Sequence, residues 1–261
     1  LGNPSGAAVI EVTLGGLTLE ARDDCCLALT GADLGALLDG QPLMPWRSFI
    51  VRKGQRLQFS QPRLGVRAYL AAPGGFNAPV VLGSCATVVR EELGGLDGMG
   101  RPLARGAELS YSGTAPSLRE VPGALRPDFS DTPVLDLVLG AQHGEFSGQS
   151  LFDAFNSTWT LDSRADRMGI RLLGPALQYQ GAPMISEGIP LGAVQVPPDG
   201  QPIVLLNDRQ TIGGYPRLGA LTPLAVARLA QLLPGSAVRF RAVVQVVAWQ
   251  QQQAYLERFA G

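Results

Sequence analysis

The residues best suited to chemistry gather around one predicted hairpin in the second half of the chain. Its two apolar runs, 192–196 and 202–206, are joined by the sequence PPDG at 197–200, which favours a tight turn. Glu187 comes before the hairpin, and a polar segment, 207–211, follows it. Because the entry and exit of an antiparallel hairpin lie side by side, we expect Glu187 and the polar segment to be neighbours. A well-formed hairpin with solvated polar ends is the alternative.

Two further groups of residues are candidates. The segment 163–172 contains three arginines and Asp166 directly before a predicted strand. A guanidinium held by a carboxylate, such as that of Arg167, can bind a substrate carboxylate or a developing oxyanion. Asp166 could instead do no more than pair with a neighbouring arginine. His143 is the single histidine and follows a predicted strand end, where it is either catalytic or a hydrogen-bonding residue without a catalytic role.

The composition indicates a globular, β-rich protein. Of the 261 residues, 46% are hydrophobic and 16% charged, and 33 glycines with 20 prolines indicate many tight turns between short strands. With a net charge of −1 and no basic run, nucleic acid is not an expected partner. No apolar stretch approaches the roughly 20 residues of a membrane span. Three cysteines without framework spacing favour a cytoplasmic protein, and no metal is expected, because no cysteine pair has ligand spacing.

The elements that must position these groups are mostly short strands. Helices are predicted at 149–155, after the N-capping residue Thr222 and up to Pro234, and at 250–259. Residues 48–51 and 56–60 are expected to form a strand–turn–strand unit. A hairpin with an Asp39-Gly40 turn is predicted at 37–43. Further strands are predicted at 9–14, 17–21, 25–30, 48–51, 56–60, 66–71, 134–139, 159–161, 171–173, 192–196, 202–206 and 238–249.

The order of these elements predicts a mainly β fold. Sequential hairpins with isolated helices favour two β-barrel-like halves over a parallel α/β sheet. The proline-containing stretch 112–131 is the predicted linker. We therefore expect one domain at 1–121 and a second at 122–261.

Two long motifs in the second half resemble the allophanate hydrolase subunit 2 family. They are SRADRMGIRLLGP at 163–175 and SEGIPLGAVQVPPDGQPIVLLNDRQTIGGYP at 186–216, and VLGSCATVVREELGGLDG at 81–98 is a third similar segment. The resemblance covers essentially the whole chain. The family includes the C subunit of 5-oxoprolinase, the antagonist of a sporulation-kinase inhibitor, and one half of the carboxyltransferase domain of urea carboxylase. It implies two cyclophilin-like β-barrel domains.

Three departures from the family pattern bear on activity. Family members usually carry a further segment before the sequence found here at 2–8, so we expect the first domain to be N-terminally incomplete. The family's LGSRST is LGSCAT at 82–87, where Cys85 replaces an arginine. The family's QTTGGYP is QTIGGYP at 210–216, where Ile212 replaces a threonine. The first two departures predict reduced or altered activity.

The resemblance implies three functions of different classes. The favoured one is a subunit of a cytoplasmic, ATP-dependent 5-oxoprolinase, which opens the lactam of 5-oxoproline to glutamate. Its expected partners are the smaller subunit of the same family system and a third lactam-utilisation subunit, without which the chain would be inactive. The second is the carboxyltransferase half of a urea or amide carboxylase, with biotin carried on another chain. The third is a non-enzymatic antagonist that binds its partner subunit.

The 5-oxoprolinase interpretation assigns roles to the polar residues. Glu187 or Asp208 would be acid or base, and Arg167 with the backbone amides near Gly213 would stabilise charge. The assembled complex would use ATP, and no metal is expected. The predicted catalytic residues are Glu187, Asp208, Arg167 and His143. The predicted substrate-binding residues are Asp166, Gln195, Gln210, Thr211, Gly213, Gly214 and Tyr215.

Overall fold

The computed structural model describes residues 1–114 and 116–259. The chain divides into two compact units, Leu1–Phe129 and Ser130–Gly261. The division falls inside the proline-containing stretch 112–131. The domain boundary between residues 121 and 122 stays a prediction.

The first unit consists of short strands in two sheets. The sheet orders are β1-β8-β3-β6 and β2-β7-β4-β5, and the strand pairs within both sheets are antiparallel. A 3₁₀ turn, Gly123–Leu125, follows them. The strands are β1 (Ile10–Thr13), β2 (Thr18–Glu20), β3 (Cys25–Asp33), β4 (Ala36–Leu38), β5 (Gln41–Pro42), β6 (Arg47–Val51), β7 (Arg56–Phe59) and β8 (Leu64–Ala71).

Alternation and turn chemistry account for these sheets. In β8 every second residue is buried, including Ala68 and Leu70, which lie in the core that both sheets share. The β4–β5 turn places Asp39 at φ 48° and Gly40 at φ 77°, the positive angles that a two-residue hairpin turn requires.

Segments 48–51 and 56–60 form the predicted strand–turn–strand unit, but its two strands do not pair with each other. β6 pairs with β3, whereas β7 pairs with β2 and β4. The turn between them is held by the backbone amide of Arg52, which donates to Oε1 of Gln55 at 2.7 Å. This turn passes the chain from one sheet to the other, because Val51 and Leu57 must both face the shared core.

The second unit contains a closed seven-strand barrel, in the order β10-β11-β14-β13-β16-β9-β17, and a two-stranded ribbon, β12-β15. The pairing of β17 with β9 is parallel, and the other barrel pairs are antiparallel. The strands are β9 (Val134–Leu139), β10 (Trp159–Leu161), β11 (Gly169–Leu173), β12 (Glu187–Gly188), β13 (Ala193–Gln195), β14 (Ile203–Leu205), β15 (Ile212–Gly213), β16 (Arg217–Leu221) and β17 (Ala237–Val243). The helices are α1 (Gly148–Asn156), α2 (Pro223–Leu229) and α3 (Gln245–Glu257), with a 3₁₀ turn at Ala141–Glu145.

Trp159 lies at the centre of the barrel core. Its side chain is fully buried, and its indole Nε1 donates to the carbonyl of Ala154 in α1 at 3.1 Å. The ring of Phe240 packs against it with centroids 6.0 Å apart. An indole with its polar atom satisfied can fill a barrel interior without an unpaired donor.

The predicted hairpin and the helix at Thr222 are confirmed. β13 and β14 pair antiparallel, with Val194 opposite Val204. Oγ1 of Thr222 accepts a hydrogen bond from the backbone of Ala225 at 3.2 Å, which caps α2. The helix ends at Leu229, earlier than predicted.

The long final strand predicted at 238–249 is wrong beyond Val243. The pairing of β17 with β9 ends at Val243, and α3 then begins at Gln245. Val246 and Trp249 give this stretch an apolar, strand-like composition, yet none of the described α3 residues is buried. The barrel offers the chain no further strand edge there, so a glutamine-rich helix forms instead.

The mainly β architecture predicted from the sequence is confirmed. Across residues 1–114 and 116–259, no helix is both long enough and apolar enough to cross a bilayer. Within the same residues, no group of three or more His, Cys, Asp and Glu side chains is placed to hold a metal ion. The absence of a metal cofactor stays a prediction.

Candidate functional site

The β12–β15 ribbon carries the most polar part of the second unit. Glu187 lies opposite Gly213, and the backbone amide of Ile189 donates to the carbonyl of Thr211 at 2.9 Å. Glu187 therefore lies beside Gly213, just past the predicted segment, and of that segment Thr211 bonds Ile189 rather than Glu187.

Two donors from outside the ribbon hold the Glu187 carboxylate. Nε2 of Gln142 donates to Oε1 of Glu187 at 2.9 Å, and Nη2 of Arg217 donates to the same oxygen. Nη1 of Arg217 also donates to the carbonyl of Gly188 at 2.9 Å. Oε2 of Glu187 accepts no hydrogen bond from the described residues. One carboxylate oxygen is thus held by two donors, while the other faces no partner among the described residues.

Gln195 lies on the same face of the ribbon as Glu187. Residues opposite each other in an antiparallel pair project to one face, with Cβ atoms about 5 Å apart. A Cβ atom at Gly213, opposite Glu187, would lie 3.1 Å from Nε2 of Gln195 and 3.8 Å from Nε2 of Gln210. The structure therefore brings together four of the predicted site residues: Glu187, Gln195, Gln210 and Gly213.

Two amide atoms in this cluster lack partners. Nε2 of Gln195 and Oε1 of Gln142 are buried and have no hydrogen-bond partner among the described residues. Gln195 as a whole is only 2% exposed. Buried polar atoms are normally paired, so an unpaired donor and an unpaired acceptor around one carboxylate indicate a binding site.

Arg167 and Asp208 form a separate pair. Nε of Arg167 donates to Oδ2 of Asp208 at 3.0 Å, and the Asp208 amide donates to the Arg167 carbonyl, also at 3.0 Å. These residues precede β11 and follow β14, beside the start of β13. Arg217, which holds Glu187, begins β16 opposite Gln195 at the end of β13.

The two pairs therefore lie at opposite ends of the barrel, and the expectation that Arg167 and Asp208 join Glu187 is wrong. Residues 187–191 run alongside segment 209–213 rather than ending at the hairpin, which carries Glu187 to the far end of the barrel. The catalytic and binding roles themselves stay predictions.

The remaining predicted site residues divide between the two ends. His143 is exposed in the 3₁₀ turn that carries Gln142, and its Nδ1 donates to the carbonyl of Gly140 at 2.7 Å. Oδ1 of Asp166 accepts from the backbone amides of Met168 and Gly169, so it holds the turn into β11. Thr211 and Tyr215 are exposed, and a Cβ atom at Gly214 would lie 3.5 Å from Oγ of Ser186.

The 3₁₀ turn that presents Gln142 is anchored at its other end. The hydroxyl of Tyr179 donates to Oε2 of Glu145, and this bond, with desolvation and the nearby negative charge, raises the pKa of Tyr179. The Tyr179 ring packs edge-on against Phe146 at 5.4 Å. Tyr179 therefore stays a neutral donor, and the turn that carries Gln142 is fixed in place.

Sequence reasoning missed Gln142 and Arg217. Gln142 is adjacent to His143, one of the predicted site residues, and Arg217 directly follows the TIGGYP segment. Neither position has a local signal, because each contact depends on how the barrel closes. A separate cavity of about 370 Å³ lies between β9, α2 and α3, and the residues that line it include none of the predicted site residues.

This chain belongs to the family described as carboxyltransferase domain, subdomain A and B, whose model matches residues 1–242. It is 37% identical to the C subunit of 5-oxoprolinase from Escherichia coli (strain K12), an alignment that covers 100% of this chain and 84% of that protein. It is 31% identical to a putative urea carboxylase of Emericella nidulans, over 93% of this chain and 20% of that protein.

A solved structure agrees with the fold. The crystal structure of Kluyveromyces lactis urea carboxylase superimposes with a TM-score of 0.92 over 100% of this chain and 25% of that chain. The sequence identity is 23%, so this likeness concerns the fold alone.

Proposed function

We propose that this chain is the C subunit of a multi-subunit 5-oxoprolinase, which opens the lactam of 5-oxoproline to glutamate at the expense of ATP. The observation that carries the proposal is the 37% identity, along the whole chain, to the C subunit of the Escherichia coli 5-oxoprolinase. The cluster at Glu187 supports it, because lactam opening needs a proton-transfer group beside polar groups that hold an amide.

The residues of the cluster divide the chemistry between them. Glu187 accepts a proton from the attacking water at Oε2, the oxygen without a partner among the described residues. Arg217 places a guanidinium next to the reacting centre, where positive charge stabilises a developing oxyanion. In this proposal Arg217 takes the role that the sequence assigned to Arg167.

The remaining parts of the reaction belong to other chains. The sequence contains no Walker A loop, so a partner subunit binds the ATP. We propose the smaller subunit of the same system and a third lactam-utilisation subunit as partners, a cytoplasmic location, and no activity for this chain alone.

Reconstitution tests this function. The chain is co-purified with its two partner subunits, and glutamate formation from 5-oxoproline is measured with and without ATP. We expect glutamate only from the complete mixture with ATP. Cleavage by the chain alone with ATP would overturn the partner requirement, and a complete mixture without glutamate formation would overturn the 5-oxoprolinase assignment.

Carboxyl transfer is the second candidate, and the 31% identity to a putative urea carboxylase favours it. In that case the cluster at Glu187 would receive a carboxyl group from biotin carried on another chain and pass it to urea or a similar amide. The same mixture, supplied with a biotin carboxylase, bicarbonate and urea, would then consume urea. A mixture inactive in both assays, with a tight complex between the chain and its smaller partner, would indicate the non-enzymatic antagonist.

A further inference from the structure

We infer that Gln142 and Gln195 form a complementary pair that binds the N–H and C=O groups of a cis amide, the edge that a lactam presents. Nothing in the family resemblance assigns a role to Gln142. The inference deepens the proposed function and rests on it for the identity of the substrate as 5-oxoproline.

The two glutamines offer complementary hydrogen-bonding groups, one a donor and the other an acceptor. Nε2 of Gln195 is a donor and needs an acceptor, while Oε1 of Gln142 is an acceptor and needs a donor. Both atoms are buried and unpaired among the described residues, which costs free energy in the unliganded protein. A ligand that carries one acceptor and one donor would satisfy both at once.

Both glutamines lie near Glu187, one bonded to its carboxylate and the other across the ribbon from it. The amide nitrogen of Gln142 lies 2.9 Å from Oε1 of Glu187. The amide nitrogen of Gln195 lies 3.1 Å from the Cβ position of Gly213, directly opposite Glu187 in the ribbon. One glutamine thus bonds the Glu187 carboxylate, and the other lies on the face of the ribbon to which Glu187 projects.

Whether a ligand fits both glutamines depends on whether its amide is cis or trans. A small lactam ring holds its amide in the cis form, so its N–H and C=O lie side by side on one edge. An ordinary secondary amide is trans, and its N–H and C=O point in opposite directions. An unpaired donor and an unpaired acceptor near the same carboxylate residue therefore favour a lactam over a peptide-like amide.

Binding of a lactam by the two glutamines would also orient its carbonyl group toward Glu187. A lactam whose carbonyl oxygen is held by Gln195 and whose N–H is held by Gln142 has its carbonyl carbon beside the free Oε2 of Glu187. A water bound to Oε2 is then placed for attack on that carbon. As water forms the new C–O bond, Glu187 takes a proton from it and delivers that proton to the lactam nitrogen while the C–N bond breaks. The two glutamines act as positioning residues.

Calorimetric titration of the full chain tests the inference directly. The probes are 5-oxoproline, its lactone analogue, which lacks the N–H, and N-methyl-5-oxoproline. We expect 5-oxoproline to bind at least about tenfold more tightly than either analogue, because both analogues leave Oε1 of Gln142 unpaired.

Two variants test the contributions of Gln142 and Gln195 separately. Gln142→Met should bind 5-oxoproline and the lactone with similar affinity, since it removes the acceptor that reads the N–H; it also removes the bond from Nε2 to Glu187, which affects both ligands alike. Gln195→Met should weaken both ligands at least about tenfold, since both carry the carbonyl. The matched control is Gln149→Met, at an exposed glutamine of α1, which should leave all three affinities unchanged.

The melting temperature of the Gln195 variant tests whether this residue is needed for folding. Because each replacement removes an unpaired buried amide atom, Gln195→Met should leave the melting temperature unchanged or raise it. A large fall would mean that Gln195 is needed for folding and would count against the pair.

The outcomes separate this inference from the proposed function. Equal binding of lactam and lactone by the parent chain, unchanged affinities in both variants, or no binding of any probe would each overturn the glutamine pair. Glutamate formation by the reconstituted complex in those cases would leave the 5-oxoprolinase assignment standing. Lactam-selective binding without glutamate formation would uphold the pair and overturn the assignment.

Discussion

Two arginine–carboxylate pairs at opposite ends of one barrel differ in what they leave unsatisfied. Arg167 and Asp208 bond each other through both side chain and backbone, which ties the entry of β11 to the exit of β14. Arg217 and Glu187 share their contact with Gln142, and one carboxylate oxygen and two amide atoms nearby stay without partners among the described residues. Both pairs have the composition of a site. Only the second has buried amide atoms beside it that lack partners among the described residues.

The comparison shows why charge alone is a weak guide to function. From the sequence, the arginine-rich segment before β11 was also a candidate, with three arginines and Asp166 close together. In the structure its residues make structural contacts, since Asp166 accepts from backbone amides of a turn and Arg167 bonds Asp208. The unpaired buried amide atoms make the other end the better candidate site.

The largest expected effect is a difference in turnover between substitutions of the two carboxylates, Glu187 and Asp208. Glu187→Gln should lower turnover of the reconstituted complex roughly 100- to 10,000-fold, the usual contribution of a proton-transfer group. Asp208→Asn should change turnover less than about threefold. Steady-state kinetics on both complexes, with melting temperatures alongside, checks this pair. Similar losses from both substitutions would remove the distinction between the two ends.

A smaller effect is expected from filling the space between Glu187 and Gln195. In Gly213→Ala the new methyl group would lie 2.6 Å from Cδ1 of Ile189 and 3.1 Å from Nε2 of Gln195, so both side chains must shift. We expect an increase of about tenfold or more in KM for 5-oxoproline, because the Gln195 amide loses its position. Gly148→Ala is the control, since a Cβ atom at Gly148 meets nothing within 4 Å. An unchanged KM for Gly213→Ala would contradict the site geometry.

Replacing each arginine by lysine sharpens the comparison further. Lysine keeps the charge but loses the planar fork. Arg217→Lys cannot bond Glu187 and Gly188 in the same way, so we expect about a tenfold loss of turnover. Arg167→Lys should leave turnover unchanged and lower stability by at most about 1 kcal/mol, because the Arg167 side chain is 45% exposed. The result to look for against this view is a turnover loss confined to Arg167→Lys.

The smallest effect is a pH dependence at Asp162, the residue that follows β10. Hydrogen bonds from the side chain and backbone of Arg164 hold the pKa of Asp162 well below its ordinary value of 3.8. A lowered folded-state pKa contributes stability that is present above the ordinary value and is lost as the pH falls below it. The difference in unfolding free energy between the parent chain and Asp162→Asn should therefore shrink between pH 5 and pH 2. Denaturant titrations over this range measure it, and a constant difference would contradict the pairing with Arg164.

Local signals made much of the fold predictable. The PPDG turn, the Asp39-Gly40 turn and the capping residue Thr222 each act within a few residues, so the sequence reveals them directly. The change from strand to helix after Val243 was not predictable, because it depends on where β9 stops offering a partner.

The site was predictable in part for the same reason. Glu187, Gln195, Gln210 and Gly213 lie on or beside the hairpin, and their proximity follows from local pairing. Gln142 and Arg217 reach Glu187 from 45 and 30 residues away, respectively. Contacts of that length depend on barrel closure, which no local pattern of residues encodes.

The parallel pairing of β17 with β9 has a consequence for folding during translation. β9 and β10 are translated early, but each gains its last barrel neighbour only when Ala237–Val243 has emerged. Until then the nascent second unit exposes two unpaired strand edges, which are prone to pair with other chains. Arg241 then stabilises the pairing of β17 with β9, since its guanidinium bonds the carboxylate of Asp136, 105 residues upstream. Early termination before residue 237 should therefore yield an aggregating product instead of a smaller folded one.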